Sequence, residues 1–230
     1  MTSLAVRART EEQMDSPDLD PATYAQILAD LSRVNRWTLA ARPTLTFLRA
    51  CVGECKRLTL LDVGYGRGDM LRRIAIWAQK RGKDAALIGV DMNARSLAAA
   101  EAETAGFAID LRSGDYRELA GPFDCIISSL VAHHMDDAEL IDFIRYMEAN
   151  AARGWLINDL HRKQLAYRGY PLLARLLRVH RIVREDGTLS IARAFRPAEW
   201  HAFLAAAGVP PGAAKVVRRF PFRLCVERLR

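Results

Sequence analysis

The residues with the most chemical content lie in Asp62-Val63-Gly64-Tyr65-Gly66-Arg67-Gly68, directly after an apolar run. Glycines let a backbone pass close to a ligand and take positive φ without a Cβ clash. Their spacing selects among ligands. A dinucleotide fingerprint, GxGxxG, needs glycine where this chain has Asp69, and the Gly-Lys-Ser/Thr of a phosphate loop is absent. An acid two residues before the first glycine repels a pyrophosphate but suits a ligand with an ammonium group and no phosphate. S-adenosylmethionine is such a ligand. Two further acids fit it. Asp91 ends the next apolar run, where a carboxylate can accept from both ribose hydroxyls, and Asp115, in SGDY, can accept from an exocyclic adenine amine. Met92 and Tyr116 beside them offer apolar contact to the ring.

A sulfonium is already a strong electrophile, so such a protein must align the acceptor and remove its proton. Three histidines stand where that proton could go: His133 and His134 after FDCIISS, and His161 in NDLHR. A neutral imidazole accepts a proton from a phenol or enol near pH 7. Adjacent side chains point apart, so only one of His133 and His134 is expected to serve. No carboxylate partner set accompanies them at ligand spacing, and no metal is expected. Cys51, Cys55, Cys125 and Cys225 contain no CxxC pair and read as reduced, largely buried thiols.

The elements that must position these groups follow from periodicity. Arg57–Val63, a run ending at Asp91, Phe107–Leu111, Phe123–Ser129 and Gly154–Leu160 read as strands. Between them lie helices after the glycines, over Asn93–Ala105 and over Asp136–Ala149, a pattern that predicts a parallel sheet covered on both faces. The tail VVRRFPFRLCVERLR has no room for a helix between its two strand-like runs, so they should pair antiparallel. Two amphipathic helices, Pro21–Arg33 and Trp37–Cys51, precede the first strand, and residues 1–20 read as a loose polar arm. At 230 residues, 50% hydrophobic and 27% charged, the chain is long enough for a sizeable core and is neither disordered nor fibrous.

LDVGYGRGD, LIGVDMN, SGDY and FDCIISS together resemble the class I S-adenosylmethionine-dependent methyltransferases, over roughly residues 57–160. The resemblance implies an α/β, Rossmann-like fold: an open seven-stranded, mostly parallel sheet with an antiparallel C-terminal strand and helices on both faces. It implies that Asp62, Gly64, Gly66 and Gly68 line the methionine end of the cofactor, with Ser129 a further contact. Asp91 then takes the ribose, and Met92, Asp115 and Tyr116 the adenine. Enzymes of this kind that act on exocyclic base amines share an acid, asparagine or serine followed by two prolines and an aromatic residue after the fourth strand. This chain has Ser129-Leu130-Val131-Ala132-His133 there, which argues against adenine N6 chemistry. NDLHR, EDGTLSIARAF and FPFRL are similar to strings in small-molecule methyltransferases of bacterial polyketide pathways. That likeness implies O-methylation of an acidic hydroxyl on a hydrophobic aromatic or pyrone acceptor. The alternatives are C-methylation of the same ring, or an RNA or protein acceptor met through the basic surface.

The expected organisation is an arm and helical lid over 1–55 and a methyltransferase domain over 56–230, with a lid insertion at about 161–196 before a helix from Pro197. In that insertion nine Lys and Arg face only Glu185 and Asp186, with leucines and aromatics interleaved, and Leu165–Val179 reads as an amphipathic helix. It reads as a cover for an apolar acceptor or as a helix resting on lipid headgroups. Arg162 and Arg168 are the expected partners of an acidic group on the acceptor, and Asn35 and Arg36 are expected substrate contacts. The net charge of +7 is mostly arginine spread over solvated faces, so nucleic acid is not the expected partner. The first residues carry acids where a secretory leader is apolar, which predicts a cytoplasmic protein, monomeric or homodimeric.

Overall fold

The computed structural model of the chain describes residues 4–230. Seven strands form one sheet: β1 (Arg57–Val63), β2 (Asp84–Asp91), β3 (Ile109–Ser113), β4 (Phe123–Ser129), β5 (Ala151–Leu160), β6 (Ala214–Arg219) and β7 (Arg223–Leu229). Their spatial order is β3-β2-β1-β4-β5-β7-β6. β1 to β5 are parallel, and β7 runs antiparallel to both β5 and β6. The sheet is therefore the expected open, Rossmann-like one, finished by the expected antiparallel hairpin.

Strand alternation divides the core in two. Leu61, Val63, Ile126, Trp155 and Val226 point to one face, under α5 (Asp137–Asn150) and α8 (Pro197–Ala206), with Phe143 and Trp200 fully buried there. Leu58, Leu60, Cys125, Leu156 and Cys225 point to the other, under α2 (Ala41–Val52) and α3 (Asp69–Gln79). All four cysteines are free thiols, and three of them are buried. A separate apolar cluster, with Ile27, Val34, Ala174 and Val183, joins α1 (Pro21–Trp37), α6 (Gln164–Leu176) and α7 (Arg181–Arg193) into a helical layer.

Several boundaries differ from expectation for local reasons. The ladder from β2 to β3 starts at Ile109, because Phe107 is held in the turn after α4 (Ser96–Thr104) by its N–H to the Thr104 carbonyl. β5 begins at Ala151, three residues early, and a register shift between Phe123 and Cys125 takes up one extra residue there. α1 continues to Trp37, and α2 waits until Ala41 because Leu39 takes φ 53° between them. α7, which contains Gly187, Thr188 and Ser190, has no clear apolar period; a Cβ on Gly187 would lie 2.3 Å from the Tyr170 ring, so α6 and α7 pack at glycine distance.

From Leu4 on the N-terminal arm is not loose; residues 1–3 lie outside the described residues. Leu4 and Glu12 are buried, and the Ala8 N–H donates to the Ala192 carbonyl at 3.0 Å. Arg7 donates to the carbonyls of Arg193, His133 and Met135, at 2.6, 3.0 and 2.7 Å, and its guanidinium stacks on Phe195. The Gln13 and Met14 N–H groups both bond the Asp186 carboxylate, at 3.0 and 2.9 Å. Backbone and guanidinium donors hold the arm, so no hydrophobic periodicity announces its docking.

Candidate active site

The strand order reverses between β1 and β4, and ligands of open α/β sheets bind beyond the carboxyl ends of the strands at such a switch point. A cleft of about 1140 Å³ lies there. That exceeds the roughly 300–1,000 Å³ of a single drug-sized ligand's pocket, leaving room for a cofactor and an acceptor together. One wall is made by the loop after β1, the end of β2 and residues 129–135; α1, α6, α7 and the arm close over it. α1 is fastened down by the Tyr24 hydroxyl, which meets Ser96 Oγ at 3.0 Å and accepts from Asn93 Nδ2 at 3.0 Å.

The glycines do different work. Gly64 (φ 78°) donates to the Val90 carbonyl at 2.8 Å, and a Cβ on it would come within 2.3 Å of Val131 Cγ2. Gly66 (φ 54°) has nothing within 4 Å of a notional Cβ, so its backbone is open to the cleft. Gly68 stands behind that wall; its φ of 80° starts α3, and a Cβ there would meet Thr104 Cγ2 at 3.0 Å.

Three acids gather at the same place. Asp62 is buried, its Oδ1 has no hydrogen-bond partner, and burial, with Asp69 and Asp91 nearby, pushes its pKa up to about 8. Burial also raises Asp69 and Asp91, although Asp91 accepts the Asn93 N–H at 2.9 Å and the Gly66 N–H at 2.8 Å. A buried carboxylate oxygen without a donor is costly. An ammonium placed over the Gly64–Gly66 backbone would relieve it. Ser129 Oγ is a second buried, unpartnered atom on this wall. The residues present thus fit the sulfonium amino acid that the sequence suggests.

Of the expected adenine contacts, Met92 is 73% exposed at the cleft wall, and Tyr116 is buried edge-on against Phe143 and Tyr146, with ring centroids 4.9 Å apart in both cases. Asp115 is committed elsewhere. It caps the turn at Tyr116 by accepting the Arg117 N–H at 2.9 Å and pairs with the Arg117 guanidinium, outside the residues that line the cleft.

The histidines separate by environment. His133 is buried on the cleft wall, with Nδ1 2.7 Å from Asp159 Oδ1, while Asp159 Oδ2 accepts the His133 N–H at 2.8 Å. Burial alone would raise Asp159, but the His133 ring beside it and the bonds from His133 and Leu160 outweigh it and hold Asp159 below the usual carboxylate range. An ionised Asp159 keeps the proton on Nδ1 and leaves Nε2 as the acceptor. Nε2 lies 3.6 Å from Glu12 Oε1. Glu12, brought by the arm, accepts from Ser190 Oγ at 2.9 Å, and burial pushes its pKa up to about 7. His134 is half-buried, with Nδ1 3.1 Å from Asp15 and Nε2 3.9 Å from Glu12. Glu12, His133 and His134 place one donor atom each within 4.8 Å of one another, so the carboxylate that the sequence lacks for a metal set is supplied from 121 residues upstream (133 − 12).

His161 is not part of this group. It bridges to Phe195 behind the cleft wall, where burial, followed by the charges of Arg218, Lys163 and Arg196, lowers its pKa. Arg162 is buried against Glu199 and the Ala194 carbonyl, and Arg168 points to solvent away from the cleft, so neither reaches an acceptor held there. Asn35 and Arg36 do line the cleft at the end of α1. Sequence reasoning missed Asp159, Glu12 and Arg223. Asp159 stands in the quoted NDLHR and needed only its strand-end position; Glu12 carries no local signal.

Residues 60–154 match the family described as a methyltransferase domain. Similar solved structures include magnesium protoporphyrin IX methyltransferase from Synechocystis PCC 6803 with S-adenosylhomocysteine bound, at 16% identity and TM-score 0.58, covering 95% of this chain and 91% of that one. The plantazolicin methyltransferase with S-adenosylhomocysteine is similar at 14% identity and TM-score 0.66, covering 94% and 92%. A putative O-methyltransferase from Nostoc punctiforme PCC 73102 is similar at 16% identity and TM-score 0.63, covering 97% of this chain and 64% of that one. Comparison with curated proteins returns no match. Residues 60–154 thus match a methyltransferase domain, and the chain as a whole shares the fold of these S-adenosylhomocysteine-bound methyltransferases. Among the described residues no helix is long and apolar enough to cross a membrane.

Proposed function

We propose that the protein transfers the methyl group of S-adenosylmethionine to a hydroxyl of a hydrophobic aromatic or pyrone-type small molecule. The observation that carries this reading is the Asp159–His133 pair on the wall of the cleft beside the glycine loop, with Nε2 left to Glu12 3.6 Å away and to the cleft. Asp62, Gly64, Gly66, Asp91 and Ser129 would hold the cofactor, which supplies an electrophilic methyl when bound. The roof, with Leu28, Leu31, Leu165, Tyr170 and Leu173, supports a greasy acceptor and keeps water from it. His133 Nε2 takes the hydroxyl proton as the oxygen–methyl bond forms and the carbon–sulfur bond breaks. Glu12, 3.6 Å from Nε2 and with its pKa pushed up by burial to about 7, borders the base and can accept from the ring once the ring is protonated. The end of α1, with Asn35 and Arg36, borders the acceptor's way in.

The test is a panel of phenols, quinols and pyrones incubated with S-adenosylmethionine, with product methyl positions read by mass spectrometry and NMR. O-methyl products, lost in His133→Gln, are expected. Products methylated only at carbon would replace the O-transfer reading, and methylation of RNA or protein alone would overturn it.

A further inference from the structure

Of the buried arginines that line or border the site, two have most of their donors met by the chain. Arg162 has Glu199 and the Ala194 carbonyl, and Arg193 donates to the carbonyls of His133, Thr10 and His134 at 3.1, 2.8 and 3.2 Å. Arg223, the first residue of β7, is the exception. It is 2% exposed and lines the cleft, yet its Nη1 has no partner and its Nη2 reaches only Thr38 Oγ1, at 3.3 Å. Among the described residues no carboxylate lies within 4.0 Å of it. Asp159 is near enough to be felt, but its oxygens are taken by the His133 ring, the His133 N–H and the Leu160 N–H. Leu160, its register partner on β5, and Phe222, its chain neighbour, line the cleft beside it, and Leu39 and Ala40 line the same cleft next to Thr38.

A guanidinium in apolar surroundings without a counter-ion is a site waiting for an anion: its planar fork matches a carboxylate or an enolate, and the water that would otherwise solvate it is shut out. The geometry points to Arg223 as the anion-recognition residue of the acceptor pocket, so that the acceptor carries a carboxylate or an equally acidic oxygen besides the hydroxyl that is methylated. This rests on the acceptor occupying the cleft described above. It moves recognition of the acidic group from Arg162 and Arg168 on the lid to the floor of the sheet, beside β5 and Asp159.

The experiment uses the full chain, with and without S-adenosylhomocysteine, and two probes alike except in charge: salicylate and its neutral carboxamide, salicylamide. Calorimetry or ligand-observed NMR gives the affinities in the wild type, Arg223→Lys and Arg223→Met. Salicylate should bind the wild type about 10-fold tighter than salicylamide, as a charge-assisted fork outweighs a neutral contact. The preference should shrink in Arg223→Lys and vanish in Arg223→Met, with S-adenosylhomocysteine affinity unchanged in both. Equal binding of the two probes to the wild type, binding of neither, or a preference that survives Arg223→Met would overturn the proposal. The wild-type comparison stands even where a variant fails to fold. Failure of S-adenosylhomocysteine to bind would strike the cofactor reading instead, since the probes are also measured without it.

Discussion

His133 is gripped twice by one carboxylate: Asp159 Oδ1 lies 2.7 Å from the ring Nδ1, and Asp159 Oδ2 accepts the His133 backbone N–H at 2.8 Å. The residue at the end of β5 thereby fixes both the turn after β4 and the orientation of the imidazole on it. An imidazole held this way keeps one rotamer, so the proposed base would not have to find it in each turnover.

Replacing His133 with Gln should lower turnover by about 10²- to 10⁴-fold, the usual worth of a positioned acid–base group. Asp159→Asn should cost at least about 10²-fold, because the amide no longer enforces the proton on Nδ1. Both variants should bind S-adenosylhomocysteine as the wild type does, which calorimetry checks. Full activity in His133→Gln would remove the base from the account.

Asp62 makes cofactor binding a proton-linked event. Its pKa of about 8 in the free protein means that it holds a proton below that pH. An ammonium beside it favours the carboxylate, so binding near neutral pH should release about one proton, and affinity should rise between about pH 6 and about pH 8. Calorimetry in buffers of different ionisation enthalpy reads the release, which Asp62→Asn should abolish. The sign for stability is the reverse of a salt-bridged acid's. The folded state binds this proton more tightly than the unfolded chain, so the free protein loses stability as pH rises from about 4 to about 8. Asp62→Asn should then raise the melting temperature of the free protein most at the alkaline end.

Gly64 and Gly66 should respond differently to alanine. Gly64→Ala meets Val131 Cγ2 and a left-handed backbone together, and should destabilise the fold by about 3 kcal/mol in urea titrations. Gly66→Ala meets open space and carries only the backbone penalty of about 1 kcal/mol, yet its methyl group intrudes on the cleft. It should weaken S-adenosylhomocysteine at least about 10-fold while leaving the protein folded. Equal effects of the two substitutions on both quantities would contradict the separate roles.

Glu12, His133 and His134 also form a set of donors that could hold a metal. With proton transfer assigned to the Asp159–His133 pair, turnover should be unchanged after dialysis against EDTA. Activity lost to EDTA and restored by added zinc or manganese would transfer that step to a metal.

The sheet was legible because its signal is local: β1 and β4 are apolar runs whose ends coincide with the residues read from sequence, and the glycines mark where β1 stops. The grouping of Asp62, Gly64, Gly66 and Asp91 on one cleft wall was legible for the same reason, since Asp62 and Asp91 stand at strand ends and the two glycines in the loop between β1 and α3. What could not be read depends on distant parts meeting. Glu12 reaches His133 only because Arg7, Gln13 and Met14 fasten the arm to α7 and to the turn after β4. His161 was overvalued because its type suggested chemistry while its bridge to Phe195 turns it behind the wall. Charge points to Arg162 and Arg168, but charge says nothing of burial, and the cleft-lining arginine whose Nη1 lacks any partner is Arg223, in a strand that reads as simple structure.

The most direct test of the central claim is isothermal titration of the protein with S-adenosylmethionine, S-adenosylhomocysteine and NADH, on the wild type and on Asp91→Ala. Micromolar binding of the first two, absent for NADH and lost in Asp91→Ala, is the result predicted. No binding of either, or a preference for NADH, would contradict the cofactor site and the methyl-transfer chemistry built on it.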